Sequence, residues 1–234
     1  MRIVGFIETS MVDWDGRISS VIFTGGCNLR CPFCHNAKVA NDDKELEEIK
    51  WSDIAAVLER KKGWIDAVVI TGGEPMMHPE IFDLCSRIKQ LGPMVKMDSN
   101  GFFPYSLKEL IERGLADFVA MDIKAPLNKK YSAAAGREVD CAVLRRSIRL
   151  LLESGVDYEF RSTLAPGLID PEDIPEIGAA VKGAKSLVLQ HFNPEGARTE
   201  GFRKKDSYSR KEAEEMAEAL RPFVKEVKLR GKFL

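Results

Sequence analysis

Five times along this chain an amphipathic stretch stops at a glycine and a short β-branched run follows. The glycines are Gly63, Gly92, Gly114, Gly155 and Gly183, where a left-handed residue would close a helix. Helix, glycine, strand, repeated in that order, is the pattern of parallel βα units, because a crossover helix lets successive strands run the same way. The pattern predicts strands over Ile3–Ile7, Ser20–Thr24, Ala67–Thr71, Met94–Asp98, Phe118–Asp122, Tyr158–Leu164, Ser186–Phe192 and Val224–Leu229. It predicts helices near Ser52–Lys61, Pro79–Gln90, Ser106–Arg113, Cys141–Glu153, Pro171–Val181 and Ser209–Pro222. Ser52 and Ser106 read as N-caps, and Pro79 and Pro171 as first-turn residues. Six units are too few for a closed eightfold barrel, which leaves an α/β partial barrel or an open parallel sheet. No repeat, low-complexity tract or linker interrupts the series, so one domain over 1–234 is expected.

In either architecture ligands collect outside the carboxyl ends of the strands. The unusual residues of this sequence fall there. GGCNLRCPFC follows the second predicted strand, TGGEP closes the third, DSNG the fourth and DIK the fifth. Arg161 lies inside the apolar sixth strand, where an unpaired charge would be costly, so an anionic partner is expected. QHF ends the seventh.

Cys27, Cys31 and Cys34 form a C-x3-C-x2-C group, and five cysteines is an odd number for a disulfide scaffold. Three thiolates on a short loop suit a [4Fe–4S] cube, which takes soft sulfur at three irons and leaves the fourth open. Structural zinc takes four closed ligands, and no second cysteine pair follows. His35 would complete a Cys3His set but, adjacent to Cys34, closes a tetrahedron awkwardly. Cys85 and Cys141 read as inert thiols, and His35 and His78 as structural. With 35 basic and 36 acidic residues the net charge is −1, which speaks against nucleic acid as the main partner. There is no apolar run of ~18 residues and no basic, then apolar, leader, so no membrane association and a reducing cytoplasm are expected.

The cysteine motif, with an aromatic residue before its last cysteine, and TGGEP together resemble the radical S-adenosylmethionine (SAM) enzymes. GCNLRCPFCHN, DSNG, MDIKAP, FRSTLAPG and the QHF segment narrow the resemblance to glycyl-radical-enzyme activating enzymes. Within these the chain most resembles the activating proteins of anaerobic ribonucleoside-triphosphate reductase. The resemblance implies a partial (β/α)6 TIM-like barrel of the radical SAM type with an N-terminal β-hairpin. It implies reductive cleavage of SAM to methionine and a 5′-deoxyadenosyl radical, which takes hydrogen from a glycine Cα of a partner enzyme. A flavodoxin or ferredoxin would supply the electron.

By the same resemblance Cys27, Cys31 and Cys34 would hold one [4Fe–4S] cluster, and Phe33 would face the adenine. Gly72, Gly73 and Glu74 would meet the cofactor's amino group. Lys124 or Arg161 would meet its carboxylate, since a guanidinium fork binds both oxygens. Asn100 and His191 would hydrogen-bond ribose or backbone. Asp98, Ser99 and Asp122 resemble a monovalent-cation site beside the cofactor. Two positions depart from the family pattern: Asp15 replaces a proline, and Gly25 replaces a common glutamine. The competing functions are a radical SAM enzyme acting directly on a small molecule or nucleotide, and a zinc-stabilised binding module without catalysis.

Overall fold

The computed structural model describes Met1–Phe233. The chain divides into two compact units. The first comprises Met1–Asn28, Lys38–Ser99 and Tyr105–Val119, and the second Leu29–Ala37, Asn100–Pro104 and the chain from Ala120 onward.

In the first unit β1 (Ile3–Ser10) and β2 (Ser19–Thr24) form an antiparallel hairpin. Beyond it β3 (Ala67–Gly72) and β4 (Met94–Ser99) add in parallel. The β2–β3 register runs without a break from Ser19↔Ala67 to Thr24↔Gly72, so the two strands end level. Ala67, Val68, Val69 and Ile70 are all buried, the two-sided apolar run of an internal parallel strand. The helices are most of α1 (Ala37–Ala40), α2 (Trp51–Arg60), α3 (Ile81–Leu91) and most of α4 (Pro104–Glu112). Ile54 and Leu58 of α2 and Leu84 and Ile88 of α3 recur at helical spacing and are buried.

After β5 (Phe118–Asp122), the second unit holds α5 (Lys129–Ala135), α6 (Cys141–Glu153), β6 (Asp157–Thr163), α7 (Ile174–Ala180), β7 (Leu187–Gln190), α8 (Glu200–Arg203), α9 (Arg210–Leu220) and β8 (Val227–Arg230). β6, β7 and β8 pair in parallel, Phe160↔Leu187 and Leu187↔Val227 among their partners. Sheet order follows chain order from β1 to β8. This is the expected α/β fold: a hairpin strand, then six βα units from β2 to β7, then a last strand. Among the described residues no helix is long and apolar enough to cross a membrane.

Helix starts differ from the sequence reading. Lys50, not Ser52, precedes α2, and it contributes no side-chain cap. Pro104 opens α4 and leaves Ser106 inside it, since proline's fixed φ and missing N–H suit the first turn. Pro79 lies ahead of α3, which starts at Ile81 after Glu80. Pro171 opens a separate 3-10 turn before α7. Ser209 does cap α9, in a reciprocal box with Glu212. β8 begins at Val227 rather than Val224.

Candidate active site

In the first unit the level ends of β2 and β3 bring the chain entering the cysteine loop against TGGEP. Gly73 N–H donates to Thr24 O at 2.9 Å and Glu74 N–H to Gly26 O at 2.8 Å. The approach leaves no space for a side chain: a Cβ on Gly73 would stand 1.8 Å from Gly26 O. Gly72 sits at φ +121°, and its Cβ would fall 2.5 Å from Thr24 N and O. Gly26 N–H donates to Val39 O at 2.9 Å, and the His78 ring donates through Nε2 to Gly25 O at 2.8 Å. Cys27, half-buried, therefore leaves a backbone anchored on both sides.

The departure at Gly25 has a local cause. A Cβ there would meet the Asp42 carboxylate at 2.4 Å, and Asp42 is itself held by Arg2 at 2.6 Å. Glu74 is only 1% exposed. Its Oε1 accepts from Met76 N–H at 3.1 Å and from Ser99 Oγ at 2.9 Å, so two of the predicted site residues meet.

Lys96, which the sequence reading passed over, lies two residues before Asp98 on the same face of β4. It is 2% exposed and donates to Asp13 O of the hairpin turn at 2.5 Å. The Phe118 ring centroid is 5.6 Å from its Nζ and Asp98 Oδ1 is 3.9 Å away.

In the second unit Cys34 N–H donates to Cys31 O at 3.2 Å, closing a turn around Pro32 and Phe33. The turn is held from two sides. Arg30 N–H donates to Ala135 O at 2.8 Å, and a Cβ on Gly136 would lie 2.0 Å from Arg30 O. From the other side Thr199 donates its N–H to Pro32 O at 3.1 Å. The Phe202 ring lies 6.4 Å from Phe33 and 6.0 Å from Phe192, and His35 packs on Phe192 and donates through Nε2 to Asn193 O. Residues 193–207 thus strap the cysteine turn, closing with Ser207 Oγ donating to Phe192 O at 2.5 Å.

All five cysteines carry thiols, with Cys31 buried and Cys27 and Cys34 half-buried. Three thiols on one anchored loop are the soft donor set that a [4Fe–4S] cube takes, one to an iron. Among the described residues no three His, Cys, Asp or Glu gather about a single metal ion. Cys85 is fully buried, and burial pushes its thiol up to about 12. Iodoacetamide on the folded, cluster-free protein should therefore label Cys27 and Cys34 and spare Cys85 until denaturant is added; mass spectrometry of the peptides reads this.

The DIK segment and Arg161 also meet. Arg161 Nε donates to Asp122 Oδ1 at 2.9 Å, and Lys124 Nζ to Asp122 Oδ2 at 3.0 Å. Burial alone would raise the Asp122 carboxyl, but Arg161 and Lys124 outweigh it and hold the group below the ordinary carboxylate range. Burial would likewise lower Lys124, and Asp122 reverses that. Lys124 Nζ also lies 5.9 Å from the Phe33 centroid. Asp122 thus holds two cationic side chains at once, one on each carboxylate oxygen.

Asn100 and His191 make local contacts. Asn100 Oδ1 accepts from Phe102 N–H at 3.1 Å, turning the chain after β4. His191 N–H donates to Arg230 O at 2.8 Å, and its ring meets Phe233 edge-on at 5.1 Å. Burial, with His35 adding to it, lowers the His191 pKa.

The radical SAM superfamily profile matches residues 21–181. A protein named as a glycyl-radical enzyme activating enzyme in Methanocaldococcus jannaschii is 32% identical over 97% of this chain and 94% of its own. The pyruvate formate-lyase-activating enzyme of Clostridium pasteurianum is 27% identical over 80% of this chain and 78% of its own. Among solved structures, SuiB of Streptococcus suis bound to S-adenosylmethionine superposes with a TM-score of 0.68 at 17% identity, over 90% of this chain and 50% of that one.

Proposed function

Because this chain belongs to the radical SAM superfamily, among its glycyl-radical-enzyme activating enzymes, we propose that it installs the glycyl radical of an anaerobic ribonucleoside-triphosphate reductase. Its cofactors are a [4Fe–4S] cluster and SAM, the pair this superfamily uses. Once reduced, the bound pair supplies methionine and a 5′-deoxyadenosyl radical able to take hydrogen from a glycine Cα.

The residues have separable tasks in this reading. Cys27, Cys31 and Cys34 hold the cluster. The backbone around Gly72 and Gly73, which admits no Cβ, sets where Cys27 emerges, and Glu74 with Ser99 fixes an acceptor-rich edge for an amino group. Arg161 and Lys124, both anchored on Asp122, are the donors offered to a carboxylate. Phe33, backed by Phe202, gives an apolar wall for adenine and keeps water from the reacting carbon. Asn100 and His191 are assigned hydrogen bonds to ribose or backbone, and a flavodoxin or ferredoxin is the electron donor. The observation that carries the activase reading is the near-full-length likeness to a protein of that name. The motif set read from the sequence favours the reductase as the partner.

The test is electron spin resonance under anaerobic conditions. The reduced, reconstituted protein is incubated with SAM and either the reductase or a pyruvate formate-lyase. A glycyl-radical doublet on the reductase alone is expected. A doublet on the lyase alone would reassign the partner. Release of 5′-deoxyadenosine with no doublet on either would favour a small-molecule or nucleotide substrate instead.

A further inference from the structure

The three residues resembling a monovalent-cation site are each engaged by the protein itself. Both Asp122 oxygens are taken, by Arg161 at 2.9 Å and Lys124 at 3.0 Å. A further cation there would have to displace one of those donors. Ser99 directs its hydroxyl proton to Glu74 at 2.9 Å. Asp98 has an ammonium, Lys96 Nζ, 3.9 Å from Oδ1.

That ammonium is built into its place. A lysine with 2% exposure gives up nearly all its hydration, which is tolerated only where the protein returns equivalent contacts. Here these include a backbone carbonyl, Asp13 O at 2.5 Å, an aromatic ring, Phe118 at 5.6 Å, and the Asp98 carboxylate. Trp14 packs on the same Phe118 ring at 5.4 Å and keeps the hairpin turn over the lysine. Alternation along β4 puts Lys96 and Asp98 on one face, so no rearrangement is needed to keep them together.

We propose that Lys96 is a positioning residue that supplies, from inside the chain, the positive charge a monovalent cation would otherwise bring to Asp98, so the protein works without such a cation. It holds Asp98 in place through charge while its other contacts tie it to the hairpin turn. The inference rests on Asp98 lying beside bound SAM and is independent of which partner receives the radical. It therefore stands or falls separately from the reductase assignment.

The experiment uses the reconstituted holoenzyme at fixed ionic strength in potassium or in tetramethylammonium, whose bulk bars it from a coordination site. SAM dissociation constants come from equilibrium dialysis, and 5′-deoxyadenosine release is followed in parallel. For the unaltered protein both should agree within about twofold between the two salts. Lys96→Met should weaken SAM binding about tenfold in tetramethylammonium, a change of ~1.4 kcal/mol, and recover most of it in potassium or ammonium. Lys96→Arg should behave in both salts like the unaltered protein, within a few-fold. Loss of SAM binding by the unaltered protein without potassium would overturn the proposal, and the unaltered protein alone gives that result even if Lys96→Met fails to fold. Full SAM binding by Lys96→Met in tetramethylammonium would overturn it as well.

Discussion

Gly73→Ala is expected to cut SAM cleavage by about 100-fold, the scale for misplacing a reacting group by ~1 Å, with loss of stability besides. The alanine Cβ would lie 1.8 Å from Gly26 O and 2.5 Å from Gly26 C. Backbone atoms must therefore move, and little there can yield. Gly26 is tied through its N–H to Val39 and through its C=O to Glu74, while Gly25 is tied to Arg2 O and to His78. Overpacking of this kind costs about 1–3 kcal/mol, or more where the neighbour is rigid. The displacement would pass directly to Cys27, the next residue along. Gly155→Ala is the control, because nothing lies within 4 Å of its Cβ and its φ is not in the left-handed region. Melting temperature and 5′-deoxyadenosine release should separate the two variants. A Gly73→Ala protein cleaving SAM within threefold of the parent would show that the close approach is not required.

Asp122→Asn is expected to lower stability by about 2–3 kcal/mol at pH 7, somewhat under the ~3–5 for a fully buried pair because the trio keeps some solvent contact. The asparagine keeps the shape and removes the negative charge that Arg161 and Lys124 both bind. In a chain this long that is a fall of roughly 4–12 °C in melting temperature. The acid dependence gives a second reading. The folded Asp122 carboxyl is held below its ordinary value by Arg161 and Lys124 against the opposing effect of burial. Its contribution is thus fully present above the unfolded-state value of about 3.9 and is lost as pH falls through the folded one. The gap between parent and variant in urea unfolding should be constant near neutrality and shrink below about pH 4. A gap that widened in acid would mean that the ion pairs do not carry the effect.

The glycine stops made the βα order legible because Gly63, Gly92, Gly114 and Gly183 do take the left-handed angle. The helix α1, the helix α5 and the helix α8 were not visible, being four to seven residues long and too short for a 3.6-residue period to register. Ser52 and Ser106 misled because a serine near a helix start caps it only if the preceding backbone is already extended there. Lys50 and Pro104 settle those starts instead.

At the candidate site, Arg161 was legible as a charge inside an apolar strand that would demand a carboxylate, and Asp122 is that carboxylate. The same logic applied to MVKMD would have found Lys96, whose neighbours Val95 and Met97 are fully buried. The strap was not legible. Phe202 and Thr199 come some 170 residues after Phe33 and Pro32, and no local pattern in ARTEGF signals that separation in the chain will be closed in space.

The hairpin strand β1 lies at an end of the sheet order, and its pairing with β2 slips twice, between Ile3 and Gly5 and between Ile7 and Ser10. An edge strand of eight residues with a regular free side would be a template for other chains. The two slips break that regularity, and Glu8, drawn to Lys61 at 2.9 Å, sets a charge on the same short stretch. At the other end β8 is only four residues long and carries Lys228 and Arg230. Both margins of the sheet thus carry the irregularity, shortness or charge that disfavours adding a strand from another chain.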